Sequence, residues 1–197
     1  MNMQDDAAAG LGEAVELTGR LVAGVRPEQW RLPTPCPEWD VRQLVDHLVL
    51  GQQLYVRVLR GEPFEEALTA VRADPDRLGS DPAAAHDESG RELVSLFAGP
   101  GVLERTVRVP FGTVPGVVAL HLRVTESLVH GWDLATALGV PFDPPAALVE
   151  PELSFSRPML AQVPPERRVF APSRSTDEAA RPIERLVALL GREPGRV

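Results

Sequence analysis

Residues 123–139 read RVTESLVHGWDLATALG, and this stretch decides the fold of the chain. Its apolar residues recur at helical spacing between Pro115, where a helix is expected to begin, and Gly139, where it is expected to end. Glu126 and His130 are four residues apart, so their side chains leave one face of the helix one turn apart. A carboxylate and an imidazole placed in this way can share a metal ion if a third ligand faces them.

A second stretch, residues 33–49, reads PTPCPEWDVRQLVDHLV and contains the third candidate ligand. Asp40 is followed three residues later by Gln43, which is the pattern of a capped helix start. On the helix that follows, His47 lies on the apolar face and is expected to point inward. It is either a core histidine bonded to a carbonyl group or a metal ligand.

Two more amphipathic helices are predicted, over residues 11–25 and 82–99. Residues 61–80 are expected to form a surface loop with one short helical turn, at the edge of a site. Residues 102–112 have the alternation of a short extended segment. Four helices joined by long connections predict a mainly all-α fold, a four-helix bundle, in which metal sites are built from inward side chains on facing helices.

The chain is expected to divide at its proline-rich C-terminal part. Residues 1–140 would form the metal-binding bundle, and residues 141–197 a short extension. This extension is predicted to hold one broken helix over residues 146–162 and a terminal helix over residues 182–190 that packs back on the bundle.

Composition narrows the functional classes. The formal net charge of -8 and the pI near 5.1 argue against nucleic acid or an anionic membrane as partner, because both require a basic surface. A single cysteine allows no intramolecular disulfide. The first ten residues lack the basic and apolar parts of a signal peptide, and no apolar run is long enough to span a bilayer. We expect a cytoplasmic protein.

The three inward polar residues form a metal-ligand set. His47, Glu126 and His130 give two imidazoles and one carboxylate, a combination that binds zinc with a coordination position left for water or a ligand. Three buried polar groups without partners would be unfavourable, whereas a shared divalent ion satisfies all of them.

Arg123 and Asp133 are candidates for a catalytic or binding role. Arg123 lies one turn before Glu126 and could bind a carboxylate of a substrate or thiol, although a surface ion pair is the more frequent role of such a residue. Asp133 could hold His130 in place or pair with an arginine. Asp46 is expected to be solvated or paired with an arginine.

The other chemically capable residues are predicted to be structural. Cys36, between two prolines, is expected to be a packing thiol, and Trp39 and Trp132 are expected to pack. His121 lies off the stripe of candidate ligands, and His86 lies near the start of a helix among polar residues. Neither histidine is assigned a ligand role.

The two quoted motifs resemble those of the mycothiol-dependent maleylpyruvate isomerase family, part of the DinB-like metal-binding superfamily, and the tail GREPG (residues 191–195) resembles its compact branch. The resemblance implies a DinB-like four-helix bundle with a divalent metal held by His47, Glu126 and His130. Zinc is the first expectation, with nickel, manganese or iron as alternatives. Thiol-dependent members of the family bind mycothiol as a thiolate at the open metal position.

The function implied by this resemblance is that of a mycothiol-dependent transferase or isomerase acting on a small electrophile. Its partners would be a small-molecule substrate and a low-molecular-weight thiol, and, because such bundles often associate, a second copy of the chain in a homodimer. The isomerase itself has a larger C-terminal domain than residues 141–197 can form, so its substrate does not carry over. Two alternatives stay open: a metal-dependent hydrolase that uses metal-bound hydroxide, and a metal-binding protein without catalysis.

Overall fold

A computed structural model describes residues 3–162 and 171–195. Residues 163–170, within the predicted extension, lie outside this description, as do both chain ends. The described part contains seven α-helices and one β-hairpin: α1 (Met3–Ala23), α2 (Val41–Leu59), α3 (Phe64–Arg72), α4 (Pro82–Phe97), β1 (Thr106–Val109), β2 (Gly112–Pro115), α5 (Gly116–Leu138), α6 (Ala146–Gln162) and α7 (Pro182–Leu189).

Four of these helices form the predicted bundle. Helices α1 and α2 each pack against both α4 and α5, so α1 and α2 lie diagonally across the bundle. The short α3 packs on α2, whereas α6 and α7 pack on each other and on α5. The prediction of a mainly helical fold built on a four-helix bundle is confirmed.

Local sequence signals place the two helices that carry the candidate ligands. The Asp40 side chain accepts a hydrogen bond from the Gln43 amide, and the Gln43 side chain accepts one from the Asp40 amide, both at 2.9 Å. This reciprocal cap begins α2 at Val41 and puts His47 at its seventh residue. At the other helix, Gly139 adopts a left-handed conformation with φ of 67° and ends α5.

Helix α5 is the centre of the core. The sequence suggests a single inward stripe, but α5 is buried around most of its circumference because α1, α2, α6 and α7 all pack on it. Its start requires a glycine. A Cβ atom added at Gly116 would lie 1.9 Å from the backbone oxygen of Val102, so only a residue without a side chain fits there.

Three connections differ in detail from expectation. Residues 61–80 contain a nine-residue helix, α3, rather than a single turn, because Ala67 and Val71 are buried in a small apolar cluster with Leu54. The extended segment is a two-stranded antiparallel hairpin in which Val107 faces Val114. The predicted broken helix is one helix, α6, with Pro151 and Pro158 inside it.

Within the described residues, no helix is both long enough and apolar enough to cross a membrane.

Candidate metal centre

The structure brings the three predicted ligands together between α2 and α5. Oε2 of Glu126 lies 3.2 Å from Nε2 of His47 and 3.4 Å from Nε2 of His130. The three candidate ligand atoms all lie within 4.8 Å of one another. We call these three residues the triad. Residues from two helices that are far apart in sequence therefore converge on one point, as a shared ion requires.

The triad is open on one side and buried on the other. The His47 side chain is 34% exposed and that of Glu126 is 20% exposed, whereas that of His130 is only 5% exposed. The indole of Trp39 covers part of the site, with its ring centroid 4.4 Å from that of His47 and 5.8 Å from that of His130. Trp39 was expected to pack, and the side chains that it packs against are those of two candidate ligands.

Behind His130 lies a second layer of charged groups. Nδ1 of His130 lies 3.0 Å from Oδ2 of Asp133, whose side chain is fully buried. Arg192 donates two hydrogen bonds to the same carboxylate, from Nε at 3.2 Å and from Nη2 at 2.8 Å. The sequence left two roles open for Asp133, partner of His130 and partner of an arginine, and it has both.

Sequence reasoning did not find Arg192, and it expected Cys36, which contacts Asp133 and Arg192, only to pack. Arg192 follows α7 and approaches Asp133 across 59 positions of sequence. The one available signal is the tail motif GREPG, of which Arg192 is the second residue. Such a motif draws attention to the segment, but it does not predict which carboxylate the arginine will contact.

Cys36 completes the second layer. Its thiol donates to Oδ2 of Asp133 at 3.3 Å, and Nη2 of Arg192 donates to its sulfur at 3.4 Å. Cys36, His130 and Asp133 are also close enough to one another to hold a cation. However, the guanidinium of Arg192 already occupies two of these three groups, and its charge opposes a second cation. The triad is therefore the better candidate for a cation site.

The charges of the site stabilise one another. Burial would raise the pKa of Glu126, but hydrogen bonds from His130 and His47 and their charges hold that pKa well below its usual range. Burial would lower the pKa of His130, but hydrogen bonds with Asp133, Cys36 and Glu126 and the Glu126 charge raise it well above its usual range. The His130 ring thus lies between two ionised carboxylates.

Arg123 contradicts the surface ion pair that its position suggested. The residue is 4% exposed, and its guanidinium carbon lies 5.1 Å from the ring centroid of Tyr55. It lies on α5 one turn before Glu126, inside the bundle rather than on its surface. The alternative of a carboxylate-binding role is compatible with this position.

The remaining candidates lie away from the triad. Asp46 accepts a hydrogen bond from Nε of Arg77 at 2.7 Å. Of the two roles expected for Asp46, solvation and pairing with an arginine, the structure shows the second. His121 pairs with Glu152 of α6 at 2.9 Å and takes no part in the triad. His86, whose neighbours in sequence are polar, is nevertheless 1% exposed and lies in the core, outside the triad.

A groove of about 750 Å³ runs along α1 and α4 and is separate from the triad. His86 lies in its wall, together with glycine and alanine residues of both helices. None of the triad residues lines it. Its location therefore does not extend the candidate metal centre.

Comparisons with known proteins agree with the helical fold and with the family resemblance. A family model described as the mycothiol maleylpyruvate isomerase N-terminal domain matches residues 11–135. The uncharacterized protein Rv0738 of Mycobacterium tuberculosis is 36% identical over 178 residues, which cover 87% of this chain and 90% of that protein. A second uncharacterized protein of the same organism, Rv0036c, is 30% identical over 132 residues, 61% of this chain and 51% of the relative.

Among solved structures, the fold is similar to that of a crystal structure of the mycothiol-dependent maleylpyruvate isomerase, in a histidine-to-alanine variant. The TM-score is 0.58 at 14% identity, over 76% of this chain and 67% of that chain. A second crystal structure of this isomerase gives a TM-score of 0.53 at 15% identity, over 68% and 61% of the two chains. At such identities the likeness concerns the fold, whereas the family match rests on sequence over residues 11–135. The chain belongs to the family of the mycothiol maleylpyruvate isomerase N-terminal domain.

Proposed function

We propose that this protein binds a divalent metal, with zinc the best match, through His47, Glu126 and His130, and uses it in thiol-dependent transfer or isomerisation of a small electrophile. The observation that carries the proposal is the convergence of the three ligand atoms within 4.8 Å of one another. Two imidazoles and one carboxylate are a donor set that zinc accepts while keeping a position for an exogenous ligand.

The orientation of the donors also fits a cation. Asp133 holds the Nδ1 proton of His130, which directs Nε2 and its lone pair toward Glu126 when the ring is singly protonated. Arg192 neutralises the buried Asp133 carboxylate, so that this carboxylate can serve His130 without itself attracting the cation. The exposed edges of His47 and Glu126 leave the site accessible from solvent.

When bound, the cation supplies a positive charge that favours the deprotonated form of a thiol or water at neutral pH. The protein's own residues do the rest. His47, Glu126 and His130 fix the position of this charge, and Trp39 restricts solvent on one side through its contact with both imidazoles.

Family membership favours a thiol as the exogenous ligand. The description of the matching family model names mycothiol and maleylpyruvate isomerase, and the similar solved structures are of a mycothiol-dependent enzyme. We therefore propose mycothiol as cofactor. The electrophile is left general, because the similarity covers only 67% of the isomerase chain.

Metal content tests the first half of the proposal. His47→Ala and His130→Ala should each lose stoichiometric zinc, measured by elemental analysis of the purified protein. His121→Ala is the matched control, because His121 also lies on α5 and pairs with a carboxylate but is outside the triad. Unchanged zinc in both triad variants would reject the site.

Thiol binding tests the second half. Cobalt-substituted protein titrated with mycothiol should develop a sulfur-to-cobalt charge-transfer absorption, and S-methylated mycothiol, which cannot form a thiolate, should not produce it. A cobalt-loaded protein that gives no such band with millimolar mycothiol would exclude the thiol-dependent chemistry. That result would not count against the metal site, and it would favour the alternative function of a metal-dependent hydrolase.

A further inference from the structure

Arg123 occupies a specific position in the contact between α2 and α5. On α5 it lies three residues before Glu126, and on α2 it faces Gly51, which lies four residues after His47. A Cβ atom added at Gly51 would be 2.7 Å from Nη1 and 3.1 Å from Cζ of Arg123. The guanidinium therefore lies one helical turn from the triad, in space that only glycine leaves free.

The ionised Glu126 carboxylate lies one turn away on α5, yet this guanidinium forms no direct ion pair with any residue that the structure describes. Its Nε atom is buried without a hydrogen-bond partner, and Arg123 takes part in no ion pair within that part of the chain. Other arginines with buried side chains differ. Arg77, 7% exposed at its side chain, pairs with Asp46, and Arg192, 10% exposed, pairs with Asp133.

An unpaired buried charge is unfavourable, and the nearby aromatic ring offsets only part of this cost. The face of Tyr55 attracts the guanidinium, but a cation–π contact is weak compared with the desolvation of a charged group. A divalent cation at the triad would outweigh the negative charge of Glu126, so that the guanidinium would lie one turn from a net positive charge. Both facts favour an anionic ligand for this guanidinium.

Solvent can reach the group where an anion would bind. Nη1 and Nη2 of Arg123 form no hydrogen bond within the described residues, yet they are not among the fully buried unpaired atoms, whereas Nε is. The small exposed fraction of the residue thus includes its terminal nitrogens. These two nitrogens form the fork that binds a carboxylate through two hydrogen bonds.

We infer that Arg123 binds a carboxylate group of the molecule that occupies the triad. This inference rests on the proposed function and narrows it: the small electrophile carries a carboxylate group. Its carboxylate would bind beside the triad, because the guanidinium contacts Gly51, one helical turn after His47 on α2. Arg123 is thus a substrate-binding residue that sets which ligands the site accepts.

A purely structural role for Arg123 makes the opposite stability prediction. If the guanidinium served mainly to pack against Tyr55, Arg123→Met would lower the unfolding midpoint. If it is an unpaired binding group, the same substitution should leave the midpoint unchanged or raise it, because apolar replacement of a buried charge is often neutral or stabilising. Arg108→Met is the matched control, since Arg108 also lies over an aromatic ring, that of Phe64, but on the surface.

The first test uses metal-free protein and sodium propionate, so it does not depend on the proposed function. Propionate at constant ionic strength, compared with chloride, should shift the Arg123 Nε–H resonance and raise the unfolding midpoint. Arg123→Met should abolish both effects, Arg108→Met should keep them, and Gly51→Ala should weaken them by displacing an intact guanidinium. If Arg123→Met fails to fold, the resonance shift in the unsubstituted protein and a smaller shift in Gly51→Ala decide the question.

The second test compares thiols in cobalt-loaded protein. 3-Mercaptopropionate should bind about tenfold or more tightly than the neutral 3-mercapto-1-propanol, the factor that one charge-assisted hydrogen bond supplies. Arg123→Met should remove this preference and leave the affinity for the neutral thiol unchanged. A propionate response that does not depend on Arg123, or none at all, overturns the inference, whereas failure to load cobalt counts against the proposed function instead.

Discussion

His86 should make the stability of this protein unusually sensitive to mild acid. The residue is 1% exposed in the core, where α4 packs against α1 and α2. Its Nε2 lies 3.3 Å from Nε2 of Gln52, whose Oε1 accepts a hydrogen bond from the Ser89 hydroxyl at 2.6 Å. Its Nδ1 is buried without a partner. A second proton on this ring would meet an amide donor or nothing.

The size of the effect follows from the pKa. Desolvation by burial is the main cause that lowers the pKa of His86 from 6.5 to about 4. Because the folded pKa is depressed, the unfolded chain takes up the proton first as the pH falls, and the folded state loses stability. The full loss is roughly 3 kcal/mol below about pH 4, of which about 2 kcal/mol is reached at about pH 5. Near neutral pH the term is close to zero.

Urea unfolding of the native protein and of His86→Gln, at a series of pH values from neutral to about pH 5, measures this term. The native protein should lose about 2 kcal/mol more than the variant over this range. His121→Gln is a control of opposite sign, because its hydrogen bond with Glu152 raises the pKa of His121. The contribution of His121 to stability should be present at low pH and lost as the pH rises. Parallel pH profiles for the native protein and His86→Gln would refute the argument.

Metal affinity should rise with pH, because the raised pKa of His130 means that metal competes with a proton for Nε2, and a pH-independent affinity in chelator competition would contradict this. Arg192→Gln should weaken zinc binding by about tenfold, since Asp133 loses the partner that fixes it, and an unchanged affinity would uncouple the tail from the site. Gly116→Ala should destabilise the protein by about 3 kcal/mol in urea unfolding, because its Cβ would overlap a backbone oxygen. Gly12→Ala, whose Cβ meets nothing closer than 3.7 Å, should be neutral or stabilising by up to about 1 kcal/mol.

Features encoded locally could be predicted from the sequence. Asp40 and Gln43 predict the start of α2, and Gly139 predicts the end of α5. These ends of the two helices that carry the triad could therefore be predicted almost to the residue. The spacing of Glu126 and His130 fixes their common face. His47 could then be assigned because inward polar groups need partners, although its contact with Glu126 lies across 79 positions of sequence.

Features that depend on distant contacts could not be predicted. The surroundings of His86 look polar in sequence, and only the packing of α4 against α1 and α2 buries it. From the sequence, Arg123 is expected in a surface ion pair. Its guanidinium fits in the interior only because Gly51 has no side chain. In both cases the deciding neighbour is on another helix, and periodicity along one helix cannot identify it.

The His130 ring connects the part of the chain that defines the family with a part that does not. Its Nε2 faces Glu126, whereas its Nδ1 faces Asp133, which is held by Arg192. The family match ends at residue 135, so the arginine that fixes Asp133 comes from outside the matched domain. The triad has little freedom to vary, because its donor chemistry is set by the metal it is proposed to hold. The orientation and basicity of His130, by contrast, depend on how firmly the tail holds Asp133. We therefore expect substitutions in the tail to tune metal affinity in this protein without removing a ligand.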